Sequence, residues 1–304
     1  MAPDEIAGLI CSRLEEKGYR SKVLSIEHVA QLKYEIEERL SQKEIDAGLY
    51  EKYLTYFKFD VTASLPKACS IIITAAPQPQ RKVTFHFNGQ IYSGIIPPTY
   101  YHDTDNPIKE ILENILNSSG YQLHSVVLPL KLLAAYSGMA RYGKNNITYV
   151  EGLGSFLRLK AFLSDMPPGR GDSLEPQVMK ECDRCKACLN QCSTRAIVPD
   201  RFLIHAERCI TFLNEDTEEF PEWIDAAWHN SLIGCMKCQL VCPVNKRFVK
   251  WVEEGEDFNE AETELILNGV PLDRMSPETA HKLNRSYMVE YLDVLPRNLR
   301  TLLK

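Results

Sequence analysis

Along the first sixty residues the apolar positions recur every three or four places. Residues 3 to 17 carry Ile6, Ile10 and Leu14 on one stripe and stop at Gly18, which predicts a helix with one buried face. A short strand is expected over Lys22 to Ile26. From His28 to Leu40 the pattern VAQLKYEIEERL is again amphipathic, and Lys43 to Phe57 extends the helical region. The period then changes. ACSIIITA, Ala68 to Ala75, is a continuous apolar run rich in isoleucine, as in a strand buried on both faces, and Pro77 and Pro79 end it. Val83, Phe85 and Phe87 alternate with polar residues up to Asn88-Gly89, and Ile91 resumes the alternation, which predicts a β-hairpin.

PPTYYHDTDNP interrupts the pattern and reads as a loop, and a helix restarts over Pro107 to Leu116. Tyr100, Tyr101 and His102 offer proton donors there, beside a rigid proline pair; the competing reading is a surface connection with one packed tyrosine. A strand is expected in YQLHSVVL after Gly120, then a short helix over Leu130 to Tyr136. The span SGMARYGKNNITYVEGLGS holds four glycines with Lys144, Asn145, Asn146 and Thr148, which suits a backbone shaped for close approach to a polar ligand, or simply a turn. Its spacing is neither that of a Walker A loop nor that of a dinucleotide fingerprint. Phe156 to Leu163 alternates as a strand, and MPPGRGDS is the expected linker to a cysteine-rich segment. Near the C-terminus, Lys246 to Glu256 and Glu260 to Leu267 are expected to be helices, and Ser276-Pro277 supplies the N-cap and first position of another.

Composition narrows the function classes. With 304 residues, 44% hydrophobic and 25% charged, the chain has room for two domains, or for one large domain with an added module. A net charge of -6 argues against nucleic acid as a main partner, since phosphate binding needs a basic footprint. Neither a signal peptide nor an apolar stretch of membrane-spanning length is expected, and a reducing cytoplasm fits ten clustered cysteines better than a disulfide framework does. Cys11 and Cys69 stand apart and read as buried free thiols.

The other eight cysteines lie between Cys182 and Pro243, as CDRCKACLNQC, a lone Cys209, and CMKCQLVCP. Paired C-x2-C also makes zinc ribbons, but the x2-x2-x3 run belongs to iron–sulfur ligation, in which the fourth cysteine points to the other cluster. Cys182, Cys185 and Cys188 would then hold one 4Fe-4S cluster with Cys242 as the distant fourth ligand. Cys192, Cys235 and Cys238 would hold the second, and Cys209 is the one cysteine left nearby to complete it. Pro243 follows the last cysteine as in ferredoxins, whereas Ser193 stands where that pattern has proline.

Several stretches together resemble the epoxyqueuosine reductases, cobalamin-dependent iron–sulfur enzymes that finish queuosine in tRNA. RCITFLNE at 208–215 and GCMKCQLVCPVN at 234–245 look like the family's RCISYLTIE and GCDDCQxVCPWN. LAAYSGMARYGKNN at 133–146 resembles LAxxAGLGWIGKN, retaining Gly138, Gly143, Lys144 and Asn145. GSF at 154–156, the SD before the linker, and MSPETAHKL through LPRNL also fit, so the resemblance covers most of 65–300.

The resemblance implies an α+β protein: a nitroreductase-like α/β domain over 1–168, a bacterial-ferredoxin-like double-cluster module over 169–250 and C-terminal helices over 251–304. It also implies base-off cobalamin, contacted by Tyr100, Gly138, Gly143, Lys144, Asn145, Asn146, Gly154 and Ser155, beside an inner cluster that by analogy is the Cys192, Cys209, Cys235 and Cys238 one. No D-x-H-x-x-G segment, which would place a histidine under the corrin, is present. A low-potential electron donor protein and a small-molecule or nucleoside-type substrate complete the expectation.

Departures from the family bear on the chemistry. Its catalytic aspartate falls at His124 and its glutamate at Leu130, and Arg141 stands where it has tryptophan. His124 can deliver a proton, since imidazole exchanges protons near neutral pH, though a lone histidine in a strand is also an ordinary structural residue. Tyr101, His102 and Tyr142 compete for the role, tyrosine being the donor in reductive dehalogenases, which the chain resembles only through the shared cofactors. The chain stops at Lys304, where many members continue into a helical repeat that helps hold tRNA, and with the acidic balance this makes tRNA a doubtful substrate. Two further readings stay open: a cobalamin-free two-cluster electron carrier or reductive activator, and full epoxyqueuosine reduction with a displaced acid.

Overall fold

The structure is a computed structural model that describes residues 1–61, 63–169 and 175–304; the expected linker MPPGRGDS lies partly outside the described residues. In chain order come α1 (Pro3–Glu15), β1 (Arg20–Ser25), α2 (His28–Ser41), the short α3 (Ala47–Leu49), β2 (Ser70–Pro77), β3 (Gln80–Phe87) and β4 (Gln90–Ile96). Next are α4 (Asp105–Ser118), β5 (Leu123–Ser125), α5 (Leu130–Tyr136), β6 (Ala140–Tyr142), β7 (Thr148–Val150) and β8 (Leu157–Ser164). The remainder holds α6 (Ala187–Gln191), α7 (Ile210–Glu215), α8 (Lys237–Leu240), β9 (Val252–Phe258), α9 (Glu260–Leu267), α10 (Pro277–Arg285) and α11 (Leu295–Leu302).

These elements form two compact units: Met1–Pro77 with His102–Cys185, and Gln78–Tyr101 with Lys186–Lys304. The contacts therefore divide the chain differently from the 1–168, 169–250 and 251–304 scheme. The hairpin 78–101 joins the second unit, and the C-terminal helices share its core.

In the first unit an antiparallel sheet runs in the order β1-β2-β8-β5. The isoleucine run of β2 is buried on both faces because alternate side chains serve opposite layers. Ile72 and Ala76 pack with Ile6, Ile10 and Leu14 of α1 and Ile108 and Leu112 of α4, while Ile71, Ile73 and Ala75 join a core with α2 and α5. A half-buried ion cluster ties α4 to the sheet: Asp105 takes Arg158 at 2.8 Å and Lys160 at 3.2 Å. Burial opposes ionisation of Asp105, but the two cations override it and hold the carboxyl below its usual range. Its contribution is thus present above the unfolded carboxylate pKa, about 4, and lost as pH falls through the lower folded value. Asp105→Asn should cost about 1–3 kcal/mol at neutral pH and remove that acid-dependent component, measured as urea midpoints at pH 7 and pH 3.

The second unit is built on a sheet ordered β4-β3-β9, with β3 and β4 the expected hairpin and β9 parallel to β3. Helices α9, α10 and α11 complete its core, where Phe85 stacks on Phe258 at 5.3 Å among Val83, Ile96, Leu283 and Leu299. Here the sequence expectation of a helix over 246–256 fails. Val252–Phe258 is a strand held by its partners, with Lys82 to Glu254 at 3.2 Å and His86 to Asp257 at 2.9 Å. Mostly exposed, it carries no apolar alternation to betray it. The expected helical region over 43–57 is present but shorter: α3 runs directly into a more widely wound helical segment over Tyr50–Leu54. No helix among the described residues is long and apolar enough to cross a membrane.

Candidate iron–sulfur centre

Both cysteine motifs set their cysteines in or beside short helices separated by turns. In the second unit Cys188 lies in α6 with Cys192 as its C-cap, Cys209 is the N-cap residue of α7, and Cys238 lies in α8 with Cys242 just beyond it. Cys182 and Cys185 belong to the first unit by contacts. Lys237 Nζ donates to Ser193 Oγ at 2.8 Å and so ties one motif to the other. Ser193, the departure from the ferredoxin proline, is what makes that bond available.

Cys209, Cys235 and Cys192 lie within electrostatic reach of one another. Burial, then Cys235 and Cys192, push the Cys209 thiol up to about 11, and burial raises Cys235 too. Neighbouring half-buried thiols that oppose each other's ionisation become a stable thiolate set when a cationic centre compensates them, so this donor set fits an iron–sulfur cluster.

A polar network that sequence reasoning missed holds the cysteine-bearing segments. Asn298 on α11 is buried, and its Nδ2 donates to the Asn214 and Leu232 carbonyls, each at 2.8 Å. Asn214 Nδ2 in turn donates to the Gly234 carbonyl at 2.9 Å. Arg297 donates to the carbonyls of Leu213, at 2.8 Å, and Glu218. The C-terminal RN pair thus fixes both the helix that begins at Cys209 and the turn that leads into Cys235. Beside it the His229 ring is buried 4.5 Å from Phe220, with neither nitrogen partnered among the described residues. Burial, then Arg297 and Lys237, push it down to about 4, so the imidazole is neutral.

Tyr100 also belongs to this unit. Its hydroxyl donates to the Glu215 carboxylate, and burial followed by Glu215 holds it protonated, well above the usual phenol range. Gly234 makes room for that ring: a Cβ there would lie 2.7 Å from the Tyr100 hydroxyl, at a backbone φ of +66°. Tyr101 is a core residue, 1% exposed, with Arg81 4.1 Å above its ring and its hydroxyl 3.5 Å from the Ile96 carbonyl. The unit boundary falls between it and His102.

The glycine-rich span forms the β6–β7 hairpin of the first unit. Much of its polarity is used internally: Asn145 Nδ2 donates to the Tyr149 hydroxyl at 3.0 Å, and a Cβ at Gly143 would meet Asn145 Oδ1 at 2.5 Å. Gly138 closes α5 through the Ala135 carbonyl, and Gly154 exchanges backbone bonds with Val150. Ser155 is buried, whereas Lys144 and Asn146 stay half-exposed at the tip. Tyr142 is buried, with its hydroxyl raised well above the usual range by burial and Glu35. His124 is exposed on β5, the short edge strand. Cys11 and Cys69 are free thiols, half-buried rather than fully enclosed.

Comparison with known proteins bears on the whole arrangement. Residues 181–245 match the family model of the 4Fe-4S double cluster binding domain. Over 208 residues the chain is 30% identical to an epoxyqueuosine reductase of Bacillus subtilis (strain 168), covering 64% of this chain and 50% of that protein. The chain therefore spans about half the length of that curated relative. A solved structure of epoxyqueuosine reductase from Bacillus subtilis matches 99% of this chain and 82% of its own, with a TM-score of 0.71 at 22% identity. Another, of epoxyqueuosine reductase with an epoxyqueuosine-modified tRNA-Tyr stem loop, matches 99% and 81% with a TM-score of 0.69 at 22% identity. The fold is that of these structures, and the resemblance read from the motifs holds.

Proposed function

We propose that this chain is an epoxyqueuosine reductase-like oxidoreductase that uses two 4Fe-4S clusters and base-off cobalamin to reduce a nucleoside-type epoxide. The observation that carries the reading is the double-cluster segment with Cys209 set between its motifs, since that insertion and its RCITFLNE context are what it shares with the reductases. Cys182, Cys185, Cys188 and Cys242 would hold one cluster and Cys192, Cys209, Cys235 and Cys238 the other. When bound, the clusters supply single electrons at low potential and the corrinoid a strongly reducing metal centre. Lys144 and Asn146, half-exposed at the hairpin tip, would meet the polar groups of the corrinoid, while Asn145 shapes the hairpin from within.

Epoxide reduction to an alkene consumes two electrons and two protons and releases water, so a proton donor is required. His124 suits this role better than Tyr101 or Tyr142, because its ring is exposed whereas theirs are buried. His124→Phe should lower turnover by about 10²-fold and leave iron content unchanged; wild-type turnover in that variant would return the role to His102 or to a tyrosine.

The test supplies the loaded protein and a low-potential reductant with the epoxyqueuosine nucleoside, or with the same base in a tRNA stem loop. Loss of one oxygen from either, by mass spectrometry, supports the reading and shows which form is the substrate. If the loaded protein converts neither, the reductase reading is wrong and a two-cluster electron carrier takes its place.

A further inference from the structure

The sulfurs of Cys192, Cys209 and Cys235 are each met by a donor from residues that are not ligands. Asn230 Nδ2 lies 3.6 Å from Cys235 Sγ, and the Lys237 N–H points to the same sulfur. Thr194 Oγ1 lies 3.6 Å from Cys192 Sγ, and Thr211 donates both its N–H and its hydroxyl to Cys209. An iron-bound thiolate has no proton to give, so in each pair the sulfur is the acceptor.

The orientation of Asn230 follows from its own partners. Its Oδ1 accepts from the Ser231 hydroxyl at 2.7 Å and from the Met236 N–H at 3.4 Å. Turning the amide over would set its NH2 against the Met236 N–H, so the hydrogen-bond network itself assigns the N–H to the sulfur.

We propose that Asn230, oriented by Ser231 and Met236, is a positioning residue that sets the reduction potential of the Cys192, Cys209, Cys235 and Cys238 cluster, with Thr194 and Thr211 acting alike on their own sulfurs. The physical reason is charge. One electron, arriving from a low-potential donor protein, adds one negative charge to the cluster and its thiolates while no bond to the protein forms or breaks. Donors fixed on those sulfurs stabilise the more negative state more than the oxidised one, which raises the potential. The proposal rests on the ligand assignment given under Proposed function.

Potentiometric titration of the loaded full-length protein, followed by electron paramagnetic resonance, tests it. Asn230→Asp keeps the acceptor that Ser231 and Met236 need and replaces the donor with a carboxylate oxygen. Thr194→Val keeps the shape and removes the hydroxyl. Each variant should show one cluster about tenfold less reduced at the wild-type midpoint, a downward shift of about 59 mV for one electron, and the other cluster unmoved. Wild-type midpoints for both clusters in a fully loaded variant would overturn the proposal. Should Asn230→Asp fail to hold its cluster, Thr194→Val decides. A wild type that carries only one cluster refutes the ligand assignment instead, and iron content shows this before any potential is measured.

Discussion

Cys209→Ser should reduce the iron content from about eight to about four atoms per chain and abolish the signal of one cluster while sparing the other. Cys209 is half-buried, caps the N-terminus of α7, and lies within reach of Cys235 and Cys192. Every other cysteine of the 181–245 segment already has a place in the two-motif arrangement, so no spare thiol takes over. Serine is a poorer ligand because its hydroxyl ionises far less readily than a thiol. Iron analysis and electron paramagnetic resonance on anaerobically loaded protein read the outcome. Two intact clusters in the variant would refute the place of Cys209 as the eighth ligand.

Asn298→Leu should be the most damaging substitution away from the cysteines. Asn298 is 1% exposed and satisfies two buried carbonyls that leucine would leave without a donor. At about 1–3 kcal/mol for each orphaned group, the loss is about 2–6 kcal/mol. The carbonyls belong to Asn214 and Leu232, on the segments that carry Cys209 and Cys235, so the effect should reach the cluster as well. A lower urea midpoint together with faster bleaching of one cluster is the expected result. A variant as stable as the wild type would show that the network is dispensable.

The double-cluster segment was legible in the sequence because most of its cysteine spacing is local: each of the two motifs is compact, and the pattern records it. β2 and β3–β4 were legible for the same reason, since burial and turn chemistry are written into neighbouring positions. What joins distant residues was not. Asn298 and Asn214 are 84 positions apart, and Tyr100 and Glu215 are 115 apart, so neither pair leaves a periodic trace. The resemblance at LPRNL marked the place of Asn298 without its role. β9 was missed because it is held mainly by Lys82, His86 and its pairing with β3, none of which a local window over an acidic stretch contains. Likewise, the reason for glycine at 234 is the ring of Tyr100, far away in sequence.

Anaerobic isolation of the intact chain with iron and corrinoid analysis tests the account most directly. The reductase reading predicts about eight irons together with one base-off corrinoid, seen in the ultraviolet–visible spectrum. Protein that takes up its iron yet never retains a corrinoid would contradict it.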